Sequence, residues 1–357
     1  MNNLKKTQKL CADLELDAIM LSGDVNRHYV TGLRTSSGLA LITPDSAFFS
    51  TDFRYIEAAR VKLEGFTIEM RTRENTFVVL LKKWIEQRDI KKLGFEDEIR
   101  TVKEHEAWQK EIEDIKWVSA AEGIAKMRAV KEGWEIERMI AAQRIAEKTF
   151  LEILEIISVG LTEKQLAAEI IYRLLKNGAD KPAFDPIVVS GPNSSLPHGE
   201  PGQRELQKGD FVTFDFGCLL NGYCSDMTRT VAIGHATDEM RKVYDIVKKA
   251  QLAGIAAAKA GVVGADIHNA ADEVIREAGY GDCFGHGFGH GIGMEVHEDY
   301  NASPGEERVL EAGMVISAEP GIYIPGKFGV RIEDVIVLRE SGSDNLMALD
   351  KELIIVV

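Results

Sequence analysis

The chain has 357 residues, 45% of them hydrophobic and 28% charged, with a formal net charge of −14. That length exceeds one ordinary domain and predicts two, with the composition of a globular protein in water. The acidic surplus, with no basic run or arginine-rich arm, argues against nucleic-acid and anionic-membrane partners, and no apolar stretch approaches the roughly 18 residues that cross a bilayer.

The opening MNNLKKTQKL lacks the apolar core and cleavage site of a signal peptide. Cys11, Cys218, Cys224 and Cys283 form no CxxC pair and read as small buried hydrophobes in a reducing compartment. A cytoplasmic protein is expected. In chain order, short runs rich in Ile, Leu, Phe and Val predict strands at 17–21, 38–43, 47–51, 66–70 and 92–95. Helical spacing marks 53–63, 75–87 and 101–114. These make an α/β module over residues 1–121 without a catalytic cluster, in which His28, Asp52 and Arg54 read as loop and capping residues.

The second domain is expected over 122–357. From Gly133, Ile136, Met139, Ile140, Ala146, Phe150, Ile153, Leu154 and Ile157 recur at three- and four-residue steps, as one buried helix face requires. Thr162-Glu-Lys-Gln165 is a capping box opening a helix that closes at Gly178. Helices are also predicted over 238–259 and 265–278, and the remainder is strand-like and rich in glycine. Helices alternating with antiparallel hairpins predict an α+β fold class.

The chemistry concentrates late in the chain. FVTFDFG and YCSDMTRTVAI flank Asn221-Gly222, a two-residue hairpin signal. That turn places Asp215 opposite Thr228, with Asp226 a diagonal neighbour on the same face, about 7–8 Å away. Two carboxylates on one face suit a metal pair. Gly285-His-Gly-Phe-Gly-His-Gly-Ile-Gly293 carries glycine at alternate positions, which admits close backbone approach. It fits neither a phosphate loop nor a helix, and reads as an irregular or strand segment presenting one histidine to metal and the other to substrate. His297 follows in Glu-Val-His-Glu, and His198 sits in a Pro/Ser/Asn/Gly loop. Glu319 precedes Pro320-Gly321, where a strand must turn. Glu333 lies in Val330-Arg-Ile-Glu-Asp-Val335, an alternating strand with Arg331 on the same face; taken alone this reads as a surface ion pair. Asp215, Asp226, His290, Glu319 and Glu333 would repel strongly if brought together without counter-charge. Their oxygen-rich set with one imidazole suits two divalent ions, which can clamp a hydroxide and polarise a carbonyl.

The ordered set FDFG, the Asp eleven residues on, GHGFGHGIG, EPGIY and GVRIED resembles the pita-bread metallopeptidases, within them the Xaa-Pro branch of prolidase and aminopeptidase P. The resemblance spans the chain and implies a creatinase-type N-terminal domain before a pita-bread catalytic domain. It implies that Asp215 chelates one ion, that His290 with Glu319 holds the other, and that Asp226 and Glu333 bridge both. His198, His286 and His297 match positions lining the substrate site, and Arg331 and Tyr323 match positions beside the cluster. The implied reaction is metal-bridged hydroxide attack on the bond before proline, with Glu319 relaying a proton. The implied cofactors are two Mn²⁺, with Co²⁺ or Zn²⁺ able to substitute, and the implied assembly is a homodimer acting on proline-containing peptides.

One departure bears on substrate length. Several prolidases carry an arginine shortly after the His-Glu of the third motif; here His297-Glu298 is followed by Asp299-Tyr300-Asn301, and the first arginine is Arg308. Compact length favours the dipeptidase, and the missing arginine favours an aminopeptidase acting on longer peptides. The reading leans to the dipeptidase. The contrasting hypothesis is a non-catalytic pita-bread binding protein, which the complete five-ligand set disfavours.

Overall fold

Four- and five-residue apolar runs build the N-terminal sheet of this computed structural model, which describes residues 2–356. Two compact units divide the chain, Met1–Arg128 and Ala129–Val357. In the first, β1 (Ala18–Leu21), β2 (Leu39–Ile42), β3 (Ala47–Thr51), β4 (Thr67–Met70), β5 (Lys92–Phe95) and β6 (Lys116–Ser119) form a sheet ordered β4-β3-β2-β1-β5-β6. Its middle strands are buried throughout, as strands covered on both faces must be. Helices α1 (Asn3–Asp13), α2 (Asp24–Thr31), α3 (Ile56–Lys62), α4 (Phe77–Arg88), α5 (Val102–Glu111) and α6 (Ala121–Ala129) complete the unit. The helix α4 turns Leu80, Leu81, Trp84 and Ile85 inward, with Trp84 stacked on Phe48.

The expected elements of this unit do not include α1, α2, β6 or α6, all of which the structure adds. The helix α1 is capped locally, Asn2 Oδ1 accepting from Lys5 N at 2.9 Å, whereas α2 depends on a neighbour: the carboxylate of Glu96, 1% exposed, accepts from Gly23 N at 2.8 Å, and the N-cap glycine has no side chain to do it.

The second unit opens with α7 (Gly133–Leu154) and α8 (Glu163–Lys176), the latter begun by the expected capping box with both reciprocal bonds present. Strands β7 (Lys181–Pro182), β8 (Ile187–Ser190), β9 (Phe211–Asp215), β10 (Cys218–Leu220), β11 (Tyr223–Cys224) and β12 (Thr228–Ile233) follow. Helices α9 (Asp238–Ala257) and α10 (Gly264–Glu277) precede β13 (Gly289–Gly291), β14 (Glu298–Ala302), β15 (Val315–Ala318), β16 (Gly321–Ile324), β17 (Phe328–Arg331), β18 (Asp334–Arg339), β19 (Gly342–Asn345) and β20 (Ile355–Val356). The main sheets run β20-β12-β9-β8 and β14-β13-β15-β18-β19, with smaller ones β11-β10-β7 and β16-β17. The fold class is α+β, as expected.

Each helix pair covers one face of its sheet. Phe150, Ile153, Leu166 and Ile170 of α7 and α8 pack on Val212, Phe214 and Val231, while Val243, Val247, Ile267 and Ala271 of α9 and α10 join Ile316 and Ile336 in a second core. Alternation along β9 sends Val212 and Phe214 to the helices and Thr213 and Asp215 to the opposite face. All four cysteines are free, and burial pushes the Cys218 thiol up to about 11. Among the described residues no helix is long and apolar enough to cross a membrane.

Candidate metal centre

The register read from the Asn221-Gly222 turn is present. Leu220 pairs with Tyr223, Asp215 pairs with Thr228, and both turn residues have positive φ, 50° and 88°. The ladder breaks between β11 and β12, and Asp226 sits in that break. Gly217 permits it: a Cβ there would lie 1.8 Å from Ser225 O. His290 is the middle residue of β13, which runs between β14 and β15. Its flanking glycines are demanded by both neighbours, since a Cβ on Gly289 would stand 1.9 Å from Ser317 O and one on Gly291 2.1 Å from Asp299 O. The substitution Gly289→Ala therefore forces β13 and β15 apart. We expect it to cost at least about 3 kcal/mol, the upper end for overpacking; thermal melting within a degree of wild type would contradict this.

Glu319 stands between β15 and β16, at the turn its Pro-Gly neighbours predict. Glu333 requires a correction. The run 330–335 is not one strand: β17 pairs with β16, β18 pairs with β15, and Glu333 falls where the chain changes sheets. Nor is there a surface pair of Arg331 with Glu333. Both are buried, at 3% and 1% exposure, and Arg331 bridges instead to Asp215. Local alternation carries no sign of which sheet a strand joins, so the change was invisible in the sequence.

These residues line one cavity of about 330 Å³, shared with His198, His286 and His297. Ligand atoms of Asp226, His290 and Glu333 lie within 4.8 Å of one another. Asp215 and Glu319 stand outside that trio but on the same cavity, each already partnered: Asp215 by Arg331, and Glu319 Oε1 by His290 Nε2 at 3.2 Å and Ser317 Oγ at 3.0 Å. Ser317 Oγ also accepts from His290 N at 2.9 Å, tying the two together. Asp226 Oδ1 and Glu333 Oε1 are buried without a hydrogen-bond partner, while Glu333 Oε2 accepts from Thr228 Oγ1 at 2.7 Å.

The charges do not balance within the protein. Burial, then the charges of Asp226, Glu319 and Asp215, holds the Glu333 carboxyl well above the usual carboxylate range. Burial and the charge of Asp215 do the same to Asp226, and burial raises Asp215 against the pull of Arg331. Glu319 goes the other way: burial opposes its ionisation, but its bond to His290 carries it down to about 2. Burial likewise opposes protonation of His290, which Glu319 nevertheless lifts to about 9. Four clustered carboxylates cannot all ionise beside one guanidinium. Two unpartnered buried carboxylate oxygens facing one imidazole are what divalent cations fit.

The remaining histidines differ. His198 is exposed in the loop after the 3₁₀ turn Gly191–Ser195. His297 is exposed with its ring 4.3 Å from that of His290. Both ring nitrogens of His286 are engaged, Nδ1 with Gly287 O at 2.8 Å and Nε2 with Tyr323 Oη at 3.0 Å. Tyr323 also accepts from Arg331 at 2.7 Å, so one chain of contacts runs from Asp215 through Arg331 and Tyr323 to His286. Asn301 lines the cavity, whereas Arg308 is held away by Glu306 at 2.6 Å and lies over the Tyr300 ring.

Sequence reasoning missed Glu163. Its fully buried carboxylate accepts from Ser190 N at 2.7 Å, Asn193 Nδ2 at 3.1 Å and Gly202 N at 3.0 Å, pinning both ends of the His198 loop. It was hidden inside the capping box, where an acidic second residue is unremarkable.

A family model described as metallopeptidase family M24 matches residues 137–340, and one described as the Creatinase/Prolidase N-terminal domain matches 3–130. The chain is 35% identical to an Xaa-Pro dipeptidase of Pyrococcus furiosus, over 98% of this chain and 99% of that protein. It is similar to the structure of an Xaa-Pro dipeptidase from Bacillus anthracis, with a TM-score of 0.94 and 37% identity over 99% of both chains. An X-Pro aminopeptidase from Thermotoga maritima gives a TM-score of 0.92 and 36% identity, over 98% of this chain and all of that one (100%).

Proposed function

The chain belongs to metallopeptidase family M24, and from that premise we propose that it is a metal-dependent Xaa-Pro dipeptidase, a prolidase. The observation that carries the reading is the meeting of Asp226, His290 and Glu333 around buried, unpartnered carboxylate oxygens in a cavity walled by Asp215 and Glu319. Whole-length similarity to Xaa-Pro dipeptidases supports the substrate class.

In this reading Asp215, Asp226, His290, Glu319 and Glu333 hold two divalent ions, Mn²⁺ by preference for an oxygen-rich set without thiolates. Bound there, the ions would supply an activated water at neutral pH and Lewis-acid polarisation of the scissile carbonyl. The protein's own groups do the rest. Glu319, ionised and steadied by Ser317 and His290, is placed to take a proton at its carboxylate and pass it toward the departing proline nitrogen. His198 and His297 reach the cavity from two loops and can donate to the developing oxyanion. His286, fully hydrogen-bonded, positions Tyr323 and Arg331, and Arg331 neutralises Asp215. Proline's nitrogen carries no hydrogen for an ordinary peptidase to grip, which calls for a dedicated site. We further propose a cytoplasmic homodimer with no nucleic-acid partner, and a functional division of the chain at residues 121/122.

The aminopeptidase alternative has one specific observation behind it: Arg331 is the only arginine lining the cavity among the described residues, and it is committed to Asp215. Hydrolysis of Ala-Pro and Ala-Pro-Ala under Mn²⁺ decides. Faster turnover of Ala-Pro is expected; dominant cleavage of the tripeptide overturns the dipeptidase, and no cleavage of either overturns the enzyme.

A further inference from the structure

Asp226, Glu319 and Glu333 all lie where the chain leaves a strand ladder, and buried peptide groups in such breaks need other partners. In each break one buried side chain from outside the proposed ligand set takes a backbone carbonyl at or beside the carboxylate. Gln143 of α7, 1% exposed, donates from Nε2 to Asp226 O at 3.0 Å and accepts at Oε1 from Asp226 N at 3.4 Å. Gln251 of α9, fully buried, donates from Nε2 to Ala318 O at 3.1 Å, one residue before Glu319. Arg229 of β12 donates to Glu333 O, and the same guanidinium reaches Thr228 O, the Asp334 carboxylate, Leu349 O and Asp350 O.

Stability alone explains Gln251 poorly. Gln251 Oε1 has no hydrogen-bond partner, so this core position carries an uncompensated desolvation cost that a methionine of similar shape would avoid. What the glutamine contributes in return is one N–H aimed at the peptide that leads into Glu319. Gln143 grips both faces of the Asp226 peptide environment, its N–H and its C=O, and so blocks the rotation that would swing the carboxylate away. The two glutamines come from the long helices of the two halves of the unit, each backing its own sheet.

We propose that Gln143 and Gln251 are positioning residues of the metal centre, buried clamps that fix the backbone carrying Asp226 and Glu319 before an ion arrives. The proposal rests on the metallopeptidase reading above, and it adds an asymmetry. The resemblance assigns Asp226 to both ions and Glu319 to one, so loss of the Gln143 clamp would affect both binding events and loss of the Gln251 clamp one.

The test is calorimetric titration of Mn²⁺ into metal-free protein, alongside metal-free thermal melts, for wild type, Gln143→Met, Gln251→Met and Gln165→Met. Gln165 belongs to the exposed capping box of α8, where its loss disturbs the helix and no ligand segment. Expected are both Mn²⁺ affinities weakened about 10–100-fold in Gln143→Met, one weakened in Gln251→Met, and neither in Gln165→Met. Glutamine variants that melt lower but bind both ions as wild type does would mean a structural role only, and overturn the proposal. If Gln143→Met does not fold, Gln251→Met carries the test alone. Wild-type protein that takes up no Mn²⁺ overturns the metallopeptidase reading itself, and this proposal with it, before any variant is compared.

Discussion

Replacing Glu333 by alanine is expected to lower kcat/KM on an Xaa-Pro peptide by at least about a thousandfold, the equivalent of roughly 4 kcal/mol of transition-state stabilisation from the ions it would bridge. The companion variant Glu333→Gln should lose activity as severely, yet in metal-free form melt above metal-free wild type. The reason is that Glu333 is ill-suited to a protein without bound cations: 1% exposed, one carboxylate oxygen unpartnered, and three further carboxylates nearby. Among those neighbours the carboxyl must either ionise against their charge or take up a proton, and an amide of the same shape does neither while offering a donor to Asp226. Each kcal/mol relieved should raise the melting temperature by about 2–4 °C in a unit of this size. Adding Mn²⁺ should reverse the order, stabilising wild type more than the variant. Turnover within tenfold of wild type in Glu333→Ala would contradict the bridging role, and a metal-free Glu333→Gln that melts lower would show that the carboxylate supports the fold by itself. A site that is destabilising when empty and indispensable when filled marks a residue kept for chemistry.

How much of this was legible beforehand depends on the range of the interaction that decides it. The pairing of Asp215 with Thr228 followed from two turn residues, because a tight hairpin fixes its register over several residues. The capping box at Thr162 and the helix beginning at Asp238 are likewise local, and appear where expected. The sheet change at Glu333 is not local: Val330-Arg-Ile-Glu-Asp-Val335 alternates as one strand would, and only the separate partners of β17 and β18 reveal the break. The partner of Arg331 is hidden for the same reason, since Asp215 is 116 residues away; only the resemblance sets Arg331 beside the cluster. The backbone clamps left a fainter trace. Gln143 falls on the buried stripe of α7 between Met139 and Ala146, and a polar residue on a buried stripe is a signal that something behind it needs a hydrogen bond. Gln251 sits the same way between Val247 and Gly254 in α9. The ligands were readable because metal chemistry restricts residue type, whereas their supports could be many residues and so announce themselves only as exceptions to a pattern.

Arg331→Met is expected to abolish turnover and to lower the metal-free melting temperature by about 10 °C. The guanidinium is 3% exposed and serves four acceptors: Asp215, Tyr323 Oη at 2.7 Å, Pro197 O at 3.1 Å and Thr228 Oγ1 at 3.2 Å. Its removal strands a buried carboxylate, for which about 3–5 kcal/mol is the usual cost, and at about 2–4 °C per kcal/mol that gives a shift of this order. Lysine is the informative comparison. It restores the charge beside Asp215 but presents a compact ammonium in place of a planar fork, and cannot span Asp215, Tyr323 and Pro197 together. Arg331→Lys should therefore recover much of the melting temperature and little of the activity. The pattern of the residual activity is also set by geometry. Releasing Pro197 O frees the residue next to His198, so KM should rise as kcat falls, whereas a fault confined to Asp215 would lower kcat alone. Full activity in the lysine variant would mean that charge suffices and that the fork, with its hold on the His198 loop, has no part in the reaction.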